Sequence, residues 1–334
     1  MVLAAAAGAI ALVTVAAVCI RAQPSARQLH VCHAGSLQAA FEELGRAFAA
    51  RHPNVKIDDV SGGSVSLARR LASGTQACDI YASADYSNID LMLKPAGLAG
   101  YTVMFARGRM VLAYLATDPK ANGVAAAGNF TPPLAVPAVA SGWYQKLLGA
   151  GVRVGGAHPF VDPGGYRAHM IFELAQSYYR VPGLYNALLE HYTIASAAGV
   201  LGKDFSFQFT YEHSAAAAAQ RNAVYRYARL PDVIDLSAIT NRSAYAQSRV
   251  TIPGLGIPGA ASSVTIVATP AAWGLTIPRK SVNTEDAIAF VNLLLGPIGT
   301  AALNAAGPAP ITPAIVSRDD SGRVPKSLKG LAIE

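Results

Sequence analysis

The chain has 334 residues, which is enough for two domains of ordinary size or one large two-lobed unit. Charged residues make up 14% of it against about 25% in typical globular proteins, and hydrophobic residues make up 52%, which excludes an intrinsically disordered chain. The formal charge of +7 is spread without long lysine or arginine runs. This distribution argues against nucleic acid as a partner and suits a protein that meets small anions.

The N-terminus carries an almost uninterrupted apolar run over residues 2–20, followed by Arg21 and a short polar stretch. Such a run is typical of a secretory signal peptide or an N-terminal membrane anchor, to which we assign residues 1–26. Cleavage near Ala22 or Ala26 is favoured, and Cys19 leaves lipidation as an alternative. The mature protein is expected to be periplasmic or extracellular, either free or tethered through its N-terminus.

Two cysteines, Cys32 and Cys78, remain in the expected mature chain. An oxidising compartment permits a disulfide between them, but both lie in apolar segments that we predict to be buried strands. We therefore favour two buried thiols. The sequence has no Cys-x-x-Cys pair and its histidines are scattered, so we predict no zinc site.

Short apolar runs alternate with amphipathic stretches at the start of the chain. Residues 29–33, 55–57 and 79–82 are predicted strands, and helices are predicted to open after Gly35-Ser36 and Gly63-Ser64. This βαβαβ order indicates an α/β protein with a parallel sheet. Both serine loops would lie at the carboxyl ends of strands, where backbone N–H groups and hydroxyls form an anion site. The alternative is that Ser36 and Ser64 simply cap their helices.

A second lobe is predicted to begin after Arg107-Gly108-Arg109, with a strand at residues 110–114. Within it, the loop 161–167 precedes a predicted helix over residues 168–179, and its Gly164 and Gly165 amides would face a ligand. Asp162 either caps this helix or coordinates the ligand. Strands at 262–268 and 273–277 are predicted to return to the first lobe, a helix follows at 285–295, and residues 307–313 are expected to wrap the surface. The expected lobes are residues 27–108 with 265–334, and residues 109–264.

Several short motifs, taken in order, resemble the archaeal-type tungstate/molybdate-binding proteins of ABC importers. The resemblance spans about residues 29–313 and rests on HAGSL at 33–37, GSV at 63–65, DIYASADY at 79–86, DPGGYR at 162–167 and GLTIP at 274–278. It implies an α/β fold of the class II periplasmic-binding-protein type. In that fold two lobes, each a mostly parallel sheet flanked by helices, hold an oxyanion in the cleft between them.

The resemblance also implies which residues contact the ligand. The matching positions are Ser36, Ser64, Asp162, Gly164, Gly165 and Tyr211. One position departs from the family pattern, because the family's glutamate falls on Thr193 here and the nearest acid is Glu190. We therefore expect a tetrahedral anion held by neutral donors, with Asp162 as the side chain that could approach its metal centre and no separate metal site.

The resemblance implies an extracytoplasmic solute-binding protein that captures molybdate or tungstate by lobe closure and delivers it to a membrane ABC permease. It implies a monomer without cofactor or catalysis, while sulfate or phosphate stays open as the ligand. Ferric iron is a rival, since the adjacent Tyr178 and Tyr179 could supply phenolate oxygens. A serine hydrolase is a weaker rival, built from His33, Ser36 and either Asp79 or Asp85.

Overall fold

The structure is a computed structural model that describes residues 27–124, 142–195 and 199–333, and the assigned signal segment lies outside these ranges. The predicted βαβαβ beginning is confirmed. It consists of β1 (Arg27–Ala34), α1 (Gln38–Arg51), β2 (Val55–Gly62), α2 (Ser64–Ser73) and β3 (Ile80–Ser83). Strand β1 pairs in parallel with both β2 and β3, so the carboxyl ends of all three strands share one edge of the sheet.

The later strands and helices follow in a less regular order. The strands are β4 (Val103–Arg107), β5 (Met110–Leu115), β6 (Val154–Gly156), β7 (Tyr192–Ile194), β8 (Phe207–Tyr211), β9 (Tyr225–Arg229), β10 (Arg249–Pro253), β11 (Ser263–Val267), β12 (Ala272–Thr276), β13 (Ala309–Val316) and β14 (Ala332–Ile333). The helices are α3 (Trp143–Leu147), α4 (Pro163–Tyr179), α5 (Leu184–His191), α6 (Glu212–Arg221), α7 (Arg242–Tyr245), α8 (Thr284–Leu295), α9 (Pro297–Ala306) and α10 (Arg318–Ser321).

Two sheets form the two lobes. The first has seven strands in the order β14-β13-β4-β12-β3-β1-β2, and the second has five in the order β7-β6-β8-β5-β9. Helices cover these sheets, because the apolar residues of their inner faces, such as Phe41 and Phe48 of α1, are buried against them. The predicted two-lobed α/β architecture is confirmed. The sheets are mixed rather than mostly parallel, because β12 pairs antiparallel with β3 and β5 pairs antiparallel with β8.

The chain passes between the lobes twice. The first passage is the short step from β4 to β5 through Gly108, and the second lies between β9 and β12. A separate two-stranded hairpin, β10 with β11, interrupts the second passage. Strand β10 packs against α4 of the second lobe, while β11 packs against the π-helical segment Ile89–Leu93 of the first. Residue 265 lies inside this hairpin, and the chain re-enters the seven-stranded sheet at β12.

Two predicted element bounds are wrong. Helix α4 begins at Pro163 rather than at residue 168, because the Asp162 side chain caps it by accepting from the Gly164 N–H, and proline suits the first helical position. Residues 309–313, expected to wrap the surface, belong to β13, which pairs with β4 and β14. A shift of register between Pro310 and Ile315 accommodates the prolines in this strand.

The preference for two buried thiols is also wrong, because Cys32 and Cys78 form a disulfide with their Cα atoms 5.6 Å apart. Cys32 lies in β1, and Cys78 lies just before β3, the parallel neighbour of β1. Cys32 itself lies opposite Tyr81 in this register, so the path of the chain just before β3 brings Cys78 beside Cys32. The disulfide closes a loop with a sequence separation of 46 residues, and such a closure restricts the unfolded chain by about 4 kcal/mol.

Among the described residues, no single helix has both the length and the apolar composition to cross a membrane. Helices α8 and α9 reach those limits only when taken together, and the chain bends by 64° between them.

Candidate functional site

Two helix N-termini meet across the cleft. The backbone N–H of Ser66, in the first turn of α2, donates to the carbonyl oxygen of Val161, which lies just before α4, at 3.1 Å. A β-carbon placed on Gly63 would lie 2.5 Å from Val161 O and 3.3 Å from Asp162 Oδ2. Only glycine at position 63 allows this close approach. Both helices therefore direct their partly positive ends at the same small region between the lobes.

Ser64 lies at the beginning of α2, but its hydroxyl does not cap the helix. The side chain is fully buried, and its Oγ accepts a 3.0 Å hydrogen bond from the N–H of Ala84, in the loop after β3. The Tyr81 hydroxyl donates to the Ser64 carbonyl at 2.7 Å. The capping alternative is therefore wrong for Ser64, whose own O–H remains a donor that an anion can use.

Ser36 lies in a 3₁₀ turn after β1, and its hydroxyl caps no helix either. Its Oγ accepts a 3.0 Å hydrogen bond from Trp273 Nε1, and its carbonyl oxygen accepts from His213 Nε2 at 2.8 Å. Burial lowers the pKa of His213, so this imidazole is neutral at pH 7. Trp273 belongs to β12 of the first lobe and His213 to α6 of the second, so Ser36 is held at the junction of the lobes.

In the second lobe, Asp162, Gly164 and Tyr211 lie together. Asp162 Oδ1 accepts from the Gly164 N–H at 2.7 Å, and a β-carbon on Gly164 would lie 4.0 Å from the Tyr211 hydroxyl. Gly165 does not join this group. A β-carbon there would lie 2.3 Å from Ala157 O, and its N–H donates to the carbonyl of Asp162, so its role is close packing inside the lobe.

Arg167 lies at the centre of the site, although the sequence did not identify it as a ligand residue. Its side chain is buried, and its Nη1 donates to Ala84 O at 2.6 Å and to the Tyr211 hydroxyl at 2.8 Å. Its guanidinium carbon lies 5.6 Å from the Tyr211 ring and 5.8 Å from the Trp273 ring. Arg167 thus contacts Ala84, which bonds to Ser64. It also contacts Tyr211 and Trp273, and Trp273 bonds to Ser36.

The environment of this cluster favours the protonated form of the Tyr211 phenol and disfavours the charged form of Asp162. Burial raises the pKa of Tyr211, although the neighbouring Arg167 opposes the rise, so the phenol keeps its proton at neutral pH. Burial also raises the pKa of Asp162, against the Gly164 amide and Arg167, which both lower it. The site therefore presents neutral donors and one guanidinium beside a carboxylate that is costly to keep charged.

The position of the missing family glutamate lies at a sheet edge. Thr193 is exposed in β7, where it pairs with Gly155 of β6, and Glu190 is exposed on α5. The neighbouring Tyr192 instead turns inward, and its hydroxyl donates to Ala157 O at 2.8 Å. Burial raises the pKa of Tyr192, and the negative charge of Asp162 raises it further. The charge of Asp162 therefore acts on the Tyr192 phenol and disfavours its ionised form.

The tyrosine pair of the iron hypothesis lies at the other end of α4. Since a helix advances about 1.5 Å per residue, Tyr178 lies about 24 Å along the helix from Asp162. The Tyr179 hydroxyl accepts from Trp143 Nε1 at 2.9 Å within the second-lobe core. Among the described residues, no group of three or more histidine, cysteine, aspartate or glutamate side chains converges on a metal site.

The residues of the hydrolase hypothesis have separate structural contacts. His33 Nε2 lies 2.8 Å from Asp59 Oδ1, and its Nδ1 lies 2.9 Å from Ala34 O, so both ring nitrogens face partners other than Ser36. Asp79 accepts hydrogen bonds from the segment 281–283 and from the His30 N–H. These contacts do not assemble a nucleophile, a base and an orienting acid.

A polar cavity of about 690 Å³ lies beside the passage between the lobes. Arg107, Arg109, Glu212 and Arg229 line it, and the six predicted ligand residues do not. Arg109 pairs with Glu212 at 3.2 Å and with the buried Asp235 at 3.3 Å. This cavity is therefore distinct from the cluster around Arg167.

The sequence pattern of the bacterial extracellular solute-binding protein family matches residues 29–308. The chain belongs to this family. Membership implies an extracytoplasmic location and agrees with the apolar N-terminal segment. It also agrees with a site built between two lobes, as the cluster around Arg167 is.

The relatives are similar over most of both chains. An uncharacterised solute-binding protein of Methanoculleus marisnigri is 28% identical over 91% of this chain and 86% of its own length. The molybdate/tungstate-binding protein WtpA of Thermococcus kodakarensis is also 28% identical over 91% of this chain and 86% of its own. The sulfate-binding protein SubI of Mycobacterium tuberculosis shares the fold, with a TM-score of 0.58, 15% identity and coverage of 85% and 87%.

Proposed function

We propose that this chain is the extracytoplasmic solute-binding component of an ABC importer and that its solute is a tetrahedral oxyanion, either molybdate or tungstate. The two lobes close on the anion, and a membrane permease receives the closed form. The protein acts as a monomer, and neither a cofactor nor catalysis is needed. The similarity to a molybdate/tungstate-binding relative over most of both chains supports this choice of solute.

One observation carries the proposal: the N-termini of α2 and α4 face each other, with Ser64 on one side and Gly164 on the other. Each helix end carries a partial positive charge and N–H groups with no partner inside the helix. The buried Arg167 lies beside them, so the region is rich in donors. An anion is the ligand that satisfies such a region, whereas a cation would be repelled by it.

Asp162 sets a condition on this binding. Its carboxylate already accepts from Gly164 N–H, so an oxyanion that enters competes with it for the same helix end. Because burial raises the pKa of Asp162, protonation of this side chain needs less free energy than for an exposed aspartate. The site is consistent with a dianion held by hydroxyl and amide donors rather than by direct carboxylate ligation.

Calorimetric titration of the purified chain with molybdate, tungstate, sulfate, phosphate and ferric citrate tests the proposal. We expect molybdate and tungstate to bind with similar affinity and more tightly than the smaller sulfate. Ser73→Ala, at the far end of α2, is a matched control for variants of Ser64. Tight binding of phosphate or ferric citrate without binding of molybdate and tungstate would refute the proposed solute.

A further inference from the structure

We propose that Arg167 donates directly to the bound oxyanion through Nη2 and gives the site its preference for doubly charged over singly charged anions. This inference rests on the proposed function. It also adds a charged donor to a ligand set that the sequence had predicted to consist of neutral groups.

The two terminal nitrogens of Arg167 have different surroundings. Nη1 donates to Ala84 O and to the Tyr211 hydroxyl, so two bonds hold it in place. Nη2 is buried but donates no hydrogen bond, although it lies 3.4 Å from Asp85 Oδ2. A buried guanidinium nitrogen without an acceptor is unfavourable. The helix ends that flank the anion site belong to the same cluster, so an oxyanion bound there supplies the hydrogen bond that the ion pair with Asp85 does not give Nη2.

Asp85 orients the guanidinium and partly offsets the field of its positive charge. Its carboxylate accepts from the Tyr166 hydroxyl at 2.8 Å and from the Ser87 N–H at 2.9 Å, which fixes its orientation beside Arg167. Tyr166 and Arg167 belong to α4 of the second lobe, while Asp85 follows β3 of the first. The pair therefore forms only when the lobes are closed. Asp85 is thus a positioning residue whose charge opposes a bound anion.

A charged donor and a neutral donor respond differently to the charge of the ligand. Tungstate and perrhenate have the same tetrahedral shape, but tungstate carries two negative charges and perrhenate carries one. A guanidinium in contact with the anion favours the dianion, because Coulomb attraction scales with charge. If Arg167 only held the lobes together, its loss would weaken the binding of both anions by the same factor.

The experiment is a calorimetric comparison of tungstate and perrhenate binding to the whole chain, wild type against Arg167→Gln. We expect the affinity for tungstate to fall by about 10- to 100-fold in the variant, which corresponds to one charge-assisted hydrogen bond. The affinity for perrhenate should fall by less, so the ratio of the two affinities falls. Arg226→Gln is the matched control, because Arg226 is exposed in β9 and donates to the nearby backbone carbonyls of Ala223 and Tyr225. An unchanged ratio in a folded Arg167→Gln protein would overturn the inference.

A second variant tests whether Arg167 donates to the anion if Arg167→Gln does not fold. Asp85→Asn keeps Arg167 and an acceptor oxygen but removes the opposing charge, so we expect it to raise the tungstate to perrhenate ratio. A ratio that stays the same or falls in this variant would then contradict a direct donor. If the wild type binds tungstate and molybdate but neither variant changes the tungstate to perrhenate affinity ratio, this inference alone fails. If the wild type binds neither tungstate nor molybdate, the proposed function fails as well.

Discussion

The backbone N–H of Ser66 donates a 3.1 Å hydrogen bond to the carbonyl oxygen of Val161. Ser66 belongs to α2 of the first lobe, and Val161 precedes α4 of the second. The walls of the cleft therefore touch where the two helix N-termini meet, and this conformation is a closed one. Since lobe-closure binding depends on the stability of the closed form, substitutions at these helix ends are expected to change affinity before they change the fold.

The serine hydroxyls give the first prediction. Ser36→Ala and Ser64→Ala are each expected to weaken tungstate binding by about 1 to 3 kcal/mol, because each removes a donor to the anion. Ser64→Ala is also expected to lower the free energy of unfolding, since the buried Ala84 N–H loses its acceptor. The loss of unfolding free energy should be smaller for Ser36→Ala. Ser36 is half-buried, so a water molecule can replace its hydroxyl as the acceptor for Trp273 Nε1. Titration and urea unfolding measure both effects, and variants that lose stability yet bind normally would contradict the ligand role.

The two tryptophans of the chain predict a fluorescence change on binding. Trp273 contacts Tyr211 with ring centroids 4.8 Å apart and bonds to Ser36, whereas Trp143 packs in the second-lobe core against Tyr179. We expect tungstate to change the intrinsic fluorescence of the wild type and of Trp143→Phe. In Trp273→Phe the change should disappear. A change that persists in Trp273→Phe and disappears in Trp143→Phe would place the ligand elsewhere.

Asp162 gives a prediction about coordination. Asp162→Asn is expected to weaken tungstate binding by no more than about 1 kcal/mol, because the amide keeps an acceptor for the Gly164 N–H and removes a like charge. X-ray absorption of the tungstate complex should show four short W–O distances without a longer carboxylate shell. Complete loss of binding in this variant, or six-fold coordination, would indicate that Asp162 ligates the metal directly.

Asp235, beside the passage between the lobes, predicts how stability varies with pH. Burial raises its pKa to about 6, while Ser237 and Arg109 oppose the rise. The folded state therefore holds a proton that the unfolded state releases from about pH 4 upward. Consequently this group stabilises the fold below about pH 4, and by pH 7 it has lost that contribution, at most about 3 kcal/mol. Urea unfolding across this range should show the decline in the wild type and in the exposed control Asp319→Asn. A decline that is equally steep in Asp235→Asn would contradict the assignment.

Local patterns in the sequence predicted the positions that depend on nearby residues. The strand, loop and helix order around Ser36 and Ser64 is local, so both serines were placed at the correct edge of the sheet. Arg167 was not identified, because its contacts to Ala84 and Asp85 join positions more than 80 residues apart. The periodicity of a helix predicts which of its faces is buried, but not which distant residues that face contacts.

Packing decided the remaining differences. Gly164 and Gly165 are the same residue type and adjacent in the sequence. Of the two, Gly164 approaches Tyr211, whereas Gly165 packs against the loop at 157–159. The disulfide between Cys32 and Cys78 depends on how the chain enters β3 beside β1, which the apolar character of both segments does not reveal.

The most direct test of the central claim is a crystal structure of the tungstate-loaded protein that uses the anomalous scattering of tungsten to locate the ligand. The oxyanion site proposed here predicts one strong peak between the N-termini of α2 and α4, within hydrogen-bonding distance of Ser64 and of Arg167 Nη2. A peak in the cavity beside Arg107 and Glu212, or a cleft that stays closed without tungsten under saturating tungstate, would contradict it.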